Sequence, residues 1–389
     1  MAVARRRSGT ERTNLFAFAA FWIVVAVGCW LGYRIATAAG MGSHQSSVPV
    51  VNTPRPTSTP GLAPLSIASI FASRPPSLAG LDKHKLRTII ATGDVIPART
   101  VNYKMVTQNN FTYPFQATAA YLRTADITLI NLESPLLASG CPVTDIGMTF
   151  CGDPRAVQGM KLAGVDVACT ANNHIGNYGN AGILETWQHL QAAGIRPCGY
   201  DRIAYDTVRG LRFAFVAYNT IGVPFDYAAA RRQIEEARKH ADVVVAEIHW
   251  GMEYTAIPTI APGIAFNDPV KLGHWLIDNG VDLVIGNHPH HVQGVEIYHG
   301  HLITYAHGNF IFDQMFDRAT CPGDYNFVCS TEEGVVGKYT FYGKKLIAVR
   351  YKPVVIYDWW QPRWATPSQA SVIMAGMKKA TETLIQEHR

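Results

Sequence analysis

Short apolar, β-rich runs alternate with amphipathic helical stretches through most of this chain, and that alternation limits the folds open to it. The runs "RTIIATGD", "DITLINLES", "GVDVACTANNH", "RFAFVAYN", "ADVVVAEIHW" and "GVDLVIGNHPH" read as strands. Between them, "AGILETWQHLQAAG", "YAAARRQIEEARKHA" and "DPVKLGHWLIDNG" have helical spacing, the last opened by an Asp268 cap. Strands alternating with helices predict a layered α/β fold with parallel strands. Further on, "QGVEIYHGHLITYAHGNFIFD" reads as a hairpin turning at His299-Gly300, "KLIAVRYKPVVIYD" as a late strand pair, and "PSQASVIMAGMKKATETLIQEH" as a closing helix.

The strand-like runs end in one recurring way: residues able to bind a cation or polarise a substrate come directly after them. Asp94 follows "IIATG" and Glu133 follows "TLINL". Asn172, Asn173 and His174 follow "VACTA", His249 follows "VVVAEI", and His288 and His290 follow "LVIGN". The carboxyl ends of strands line the ligand crevice of an open α/β sheet. Residues far apart in sequence are therefore expected to converge. Two carboxylates, one or two amides and four histidines suit a borderline divalent ion such as Zn, Mn or Fe rather than calcium. Two ions sharing a bridging carboxylate would hold a hydroxide nucleophile between them. Within "GNHPHHVQG", His288 and His290 are two apart and would share a face of an extended strand end stiffened by Pro289. His291 has the opposite parity and is expected beside the ligands or exposed.

The 19-residue run "LFAFAAFWIVVAVGCWLGY", Leu15 to Tyr33, carries no charge. Its length and its flanking Trp22, Trp30 and Tyr33 read as a retained membrane span rather than a cleaved signal, with "ARRR" keeping the N-terminus cytoplasmic. The expected organisation is a basic tail (1–14), an anchor (15–40), a Pro/Ser/Thr-rich spacer (41–85) and a folded extracytoplasmic domain (86–389). The formal charge is +5, but Arg5, Arg6, Arg7 and Arg12 against Glu11 place +3 of it in the tail. The near-balance elsewhere argues against a nucleic-acid partner. The 48% hydrophobic content supports a substantial core.

Cysteine usage fits an oxidising compartment. Cys29 lies in the span, and six others remain. Cys141–Cys151 and Cys321–Cys329 read as loop-stapling disulfides, while Cys169 and Cys198 are either a third pair or free buried thiols.

The segments "GDVIPAR", "NLESPL", "ANNHIGNYG", "HWGMEY", "GNHPHHVQG" and "YAHGNFIFDQ", in that order over about residues 87 to 316, resemble the CapA-like family of poly-gamma-glutamate capsule biosynthesis proteins. That family belongs to the calcineurin-like metallophosphatase superfamily. The resemblance implies an α/β/β/α sandwich of mixed sheets flanked by helices, with one or two divalent metal ions at the strand ends. By motif it implies Asp94, Glu133, Asn173, His249, His288 and His290 as metal ligands, Glu133 being the bridging one. It implies His174 as general acid and Arg99 as the grip on a substrate anion. The sequence departs from the pattern at several places. Ile96 stands where the superfamily has a ligand histidine, and Asn177 where the family commonly has the aspartate that orients His174. His307 replaces a common leucine, either as a polar lining residue or facing outward, and Asn287 stands where a further histidine is common. Glu253 is either a partner beside His249 or a plain surface acid, and Trp250 is expected as packing rather than substrate stacking. The resemblance implies two possible functions. One is a membrane-anchored metal-dependent hydrolase, phosphoesterase- or amidase-like, acting on an anionic polymer or phosphoester. The other is a non-catalytic, polymer-binding subunit working with membrane synthase subunits.

Overall fold

The computed structural model describes residues 63–74, 76–144, 147–314 and 330–387. A short helix α1 (Ile67–Ile70) leads into β1 (Leu86–Val95). The helices α2 (Arg99–Thr107), α3 (Tyr113–Gln116) and α4 (Ala119–Leu122) precede β2 (Ile127–Leu132). Next come α5 (Val157–Ala163), β3 (Val167–Cys169), α6 (Gly179–Ala192) and β4 (Arg196–Cys198). A second series runs β5 (Ala204–Val208), β6 (Leu211–Asn219), α7 (Tyr227–His240), β7 (Val243–His249), α8 (Pro269–Asp278) and β8 (Leu283–Asn287). The chain closes with β9 (Val295–Tyr298), β10 (His301–Thr304), β11 (Asn309–Ile311), β12 (Glu333–Tyr342), β13 (Lys345–Tyr357), β14 (Gln361–Trp364) and α9 (Pro367–Glu387).

The strands form two mixed sheets, so the parallel expectation holds only in their centres. The first sheet has the order β14-β13-β12-β1-β2-β3-β4, with β11 alongside β1. Its β1 to β4 are parallel, and β12 to β14 are antiparallel. The second has the order β5-β6-β7-β8-β10-β9, parallel inside with antiparallel edges. Successive side chains of a strand point to opposite faces, and both faces are used. Ile89, Leu129 and Val167 meet Phe213, Val245 and Leu283 in a core between the sheets. Ile90, Ile130 and Ala168 face outward onto Val101, Phe115, Met160 and Trp187 from α2, α3, α5 and α6. On the far side, Val244 and Val284 pack on Ile234 of α7 and Leu276 of α8. The layers therefore run helices, sheet, sheet, helices.

Several local expectations are met. The Asp268 carboxylate caps α8 by accepting Val270 N–H at 3.0 Å. The β9–β10 hairpin turns at His299 and Gly300, both at positive φ. After β10 the chain leaves that hairpin, and β11 joins the other sheet. "KLIAVRYKPVVIYD" is not a strand pair but one long strand, β13, because β12 supplies a partner along nearly its whole length. Residues 65–71, expected within the spacer, are folded: Ile70 is buried in the inter-sheet core with Leu65, Ile67 and Phe71 against it. Cys141–Cys151 is bonded, and so is Cys169–Cys198, which joins β3 and β4 at paired positions. Cys321–Cys329, the Leu15–Tyr33 run and the basic tail lie outside the described residues. Among the described residues no helix is long and apolar enough to cross a membrane.

Candidate metal centre

The carboxyl ends of β1, β2 and β3 from one sheet and of β7 and β8 from the other meet at a single buried cluster. Register does the first part of the positioning. Asp94 pairs with Asn131 across β1 and β2, and His249 with Asn287 across β7 and β8. β1 can end there only because β11 approaches closely. Asp94 N–H donates to Gly308 O at 3.0 Å, and a Cβ on Gly93 would sit 2.0 Å from that oxygen. Asp94, Glu133 and His249 are fully buried, and His288 and His290 nearly so.

Two triads can be drawn through these residues, Asp94–Glu133–His249 and Glu133–His288–His290, and each brings its ligand atoms within 4.8 Å of one another. Glu133 belongs to both, the place of a bridging carboxylate. His249 Nε2 lies 3.3 Å from Glu133 Oε1 and 3.1 Å from His288 Nδ1. His290 Nδ1 lies 3.1 Å from Asp94 Oδ2 and 2.9 Å from Asn309 Oδ1. Among the described residues neither oxygen of Glu133 makes a hydrogen bond of ordinary geometry, and neither does Asn173 Oδ1, although all three atoms are buried. Orphaned buried acceptors are costly. The two Glu133 oxygens lie within the two triads, where a divalent cation would satisfy them.

The electrostatics agree. Burial alone would raise the Glu133 pKa, but His249, His290 and His174 outweigh it and hold the carboxyl at about 2. Burial would lower the His290 pKa, yet the Asp94 hydrogen bond and the Glu133 charge raise it to about 10. The same two carboxylates that favour a positive charge on His290 favour a metal cation in place of its proton. Burial, with the neighbouring His249 and His290, pushes His288 well below the ordinary range and leaves it a neutral ligand-type imidazole.

His288 and His290 do not lie on an extended strand end. They sit at φ 97° and 51°, in the left-handed region that non-glycine residues avoid. Such strain persists where surrounding structure over-determines it and is concentrated at functional sites. His291 is buried rather than exposed, with Nδ1 3.5 Å from Ser330 Oγ. Glu253 stands 4.0 Å from His288, not beside His249. His307 neither lines the site nor faces outward. It is fully buried between the sheets, its Nε2 2.8 Å from Tyr339 Oη, and burial lowers its pKa to about 3. Trp250 is packing, its indole N–H donating to Tyr305 O at 2.9 Å.

His174 lies at the rim, stacked on Phe150 with ring centroids 3.8 Å apart. Asn177 Oδ1 accepts the Phe150 N–H at 2.6 Å and sits 3.1 Å from His174 Nδ1. An acceptor already turned toward that nitrogen selects the Nδ1–H tautomer and leaves the Nε2 lone pair free. Ile96 is buried with Ala98, Phe150 and Phe312 and brings no ligand atom. Arg99 forms a two-pronged pair with Asp313, a nearly buried carboxylate that also accepts Thr100 N–H at 3.0 Å. Its guanidinium lies 5.2 Å from the Phe150 ring and 5.0 Å from that of Phe312. The expected anion grip is therefore already occupied by an internal carboxylate.

Sequence reasoning passed over Asn131 and Glu247, while Asn172, grouped there with the strand-end polar residues, is a supporting amide. Asn131 Nδ2 donates to Asp94 Oδ1 at 2.8 Å and lies 3.4 Å from His249 Nδ1. Asn172 ties the strand ends together, donating to Asn131 Oδ1 at 3.0 Å and Leu132 O at 2.8 Å. Glu247, two residues before His249 on the same strand face, is buried, accepts from Asn287 at 2.9 Å and has its pKa raised well above the carboxylate range by burial. The usable signal was spacing: Asn131 and Glu247 each precede a proposed ligand by two.

The sequence profile of the bacterial capsule synthesis protein PGA_cap family matches residues 88–314, a span that includes every residue of both triads. The chain belongs to this family. Among PGA_cap relatives, the "PGA biosynthesis protein CapA" of Bacillus subtilis (strain 168) is 31% identical over 252 residues, covering 58% of this chain and 63% of the relative. The chain thus spans less than two thirds of that relative's length. A "Probable polyglutamine synthesis accessory protein" of Mycobacterium tuberculosis (strain ATCC 25618 / H37Rv) is 30% identical over 57% of this chain and 66% of its own. A hypothetical protein from Thermus thermophilus aligns structurally over 71% of this chain and 100% of its own, with 16% identity and a TM-score of 0.43.

Proposed function

We propose that this PGA_cap protein acts in capsule or poly-gamma-glutamate synthesis as a membrane-anchored, extracytoplasmic protein whose strand-end cluster holds divalent metal and acts on an anionic polymer or phosphoester. The names of its relatives support the process. The observation that carries the chemistry is Glu133, buried at the shared corner of two His/carboxylate triads with neither oxygen in a hydrogen bond of ordinary geometry among the described residues. Asp94, Glu133 and His249 would hold one ion, and Glu133, His288 and His290 another, with Asn173 Oδ1 as a further oxygen donor. When bound, such an ion supplies Lewis acidity and lowers the pKa of a water. The chain's own residues do the rest. Asn131 and Asn309 fix the orientations of Asp94 and His290. His174, held through Nδ1 by Asn177, presents Nε2 as a proton acceptor, so in its neutral state it serves as base before it serves as the expected acid.

A second reading, a non-catalytic polymer-binding accessory, is favoured by two observations: Arg99 is engaged by Asp313, and Ile96 offers no ligand. One experiment separates the readings. Elemental analysis of the purified protein is expected to find one to two equivalents of a transition metal, with a lowered melting temperature in chelator. Metal-free protein with unchanged melting would sink the metal reading. If metal is present, wild type and His249→Ala are compared on phosphodiester and γ-glutamyl substrates. Equal rates would remove the catalytic reading and leave the accessory one.

A further inference from the structure

Away from the metal centre, the outer face of the first sheet carries three cations that no acid answers. Lys338 of β12 stands directly opposite Arg350 of β13, and Lys352 lies two residues further along β13 on the same face. Like charges opposite one another across strands are destabilising. Among the described residues none of the three is in an ion pair. Asp126, whose field reaches Lys338, is gripped by Arg209 at 2.6 Å. Aromatic rings stand in for acids instead. Lys352 Nζ lies 3.7 Å from the Trp364 ring centroid and 4.4 Å from that of Tyr121, while Lys338 Nζ lies 5.8 Å from Tyr121 and 3.2 Å from Thr124 Oγ1. Such contacts orient a cation without neutralising it. A second observation is independent of the charge count: Arg350 Nη1 is buried with no hydrogen-bond partner. A guanidinium N–H without an acceptor among the described residues is rare, and it leaves the Arg350 charge uncompensated.

We propose that Lys338, Arg350 and Lys352, framed by Tyr121 and Trp364, form a binding surface for a polycarboxylate chain, separate from the metal centre. The inference rests on an anionic polymer being this protein's partner. The cations are recessed among rings, so carboxylates on a thin flexible chain reach them, whereas a flat bilayer meets only protruding groups. Burial lowers the pKa of both lysines, a cost that bound carboxylates offset. Lys338 sits opposite Ile90, four residues before Asp94, so the surface begins roughly 13 Å back along β1 at about 3.3 Å per residue. A polymer can engage such a surface through several carboxylates at once, while a monomer offers it only one or two.

The test uses the full chain in neutral phosphatidylcholine nanodiscs. Affinity is measured for poly-γ-glutamate, for glutamate and for phosphatidylglycerol vesicles, at low and moderate salt. The polymer is expected to bind, more weakly as salt rises, and glutamate not to bind measurably. Lys338→Gln/Lys352→Gln is expected to weaken polymer binding about tenfold, and Lys338→Arg/Lys352→Arg to retain it. If melting curves show the double glutamine variant unfolded, Lys338→Gln alone carries the test, with a severalfold loss expected. Polymer binding equal in wild type and the glutamine variants would overturn the surface and leave the polymer partner standing. No polymer binding by wild type would overturn both. Charge-dependent capture of the vesicles in place of the polymer would assign the patch to a membrane surface and overturn the proposal.

Discussion

At the scale of single residues, the amides around the candidate metal centre do as much positioning as the proposed ligands. Asn131 holds Asp94 and approaches His249, and Asn172 in turn holds Asn131. Partners of this kind are commonly worth ten- to a hundredfold in metal affinity. Asn131→Ala is expected to weaken metal binding by that order while the protein stays folded, measured by chelator competition; unchanged affinity would show that Asp94 needs no such support. His307 gives a pH prediction. Its folded pKa of about 3 is depressed from an unfolded value near 6.5. The unfolded state therefore binds the extra proton between those values. Stability from this residue is whole above about pH 6.5 and falls as pH drops toward 3, by about 2 kcal/mol at pH 5. His307→Leu should remove that part of the acid sensitivity, seen as a smaller difference between urea unfolding at pH 7.5 and pH 5. An identical difference in both proteins would refute it. The Asp/Glu/His ligand set was legible because each member ends an apolar run. Asn131 was not, because an amide inside "TLINLES" has no signature until its neighbour strand is known.

At the scale of elements, the strand ends that build the site depend on close joints. Cys169 and Cys198 lie opposite each other on β3 and β4, and β3 is the short strand leading to Asn172 and His174. With a sequence separation of 29, closing that loop restricts the unfolded chain by about 3–4 kcal/mol. Cys169→Ala/Cys198→Ala is expected to lose that much stability in non-reducing denaturation and to be insensitive to reductant at this site. If wild type and variant unfold alike without reductant, the bond is not formed in solution. The segment after β8 shows where reading by period fails. Parity put His288 and His290 on one face of an extended chain, and they do share a site. They do so through two positive-φ residues in a turn, a geometry that the histidine spacing does not encode. The run "KLIAVRYKPVVIYD" reads as a strand pair, yet β13 continues unbroken, with β12 on one side and β14 on the other.

At the scale of the molecule, α9 closes the gap at the edge of the sandwich. Ile373 and Met377 complete the inter-sheet core, Leu384 joins the core beneath α7 and α8, and Thr381 Oγ1 accepts the Val295 N–H at 3.0 Å. Three buried side chains at about 2 kcal/mol each approach the whole margin of a typical domain, ~5–15 kcal/mol. Deleting residues 367–387 is expected to abolish cooperative thermal unfolding and raise dye binding to exposed apolar surface. A sharp transition in the truncated protein would show that the sandwich stands without its closing helix.

The sequence by itself determined the layered α/β class, most of the helices and which His and carboxylate side chains meet at the candidate metal centre, because these depend on local period and on the polar residues that close each apolar run. The tertiary structure alone decided that β12 to β14 make the first sheet mixed, that His307 is interior, that Arg99 is held by Asp313, and that Lys338, Arg350 and Lys352 face one another unpaired. Each is a contact between segments distant in the chain, settled by which strands pair and in what register, and a linear pattern carries no term for that.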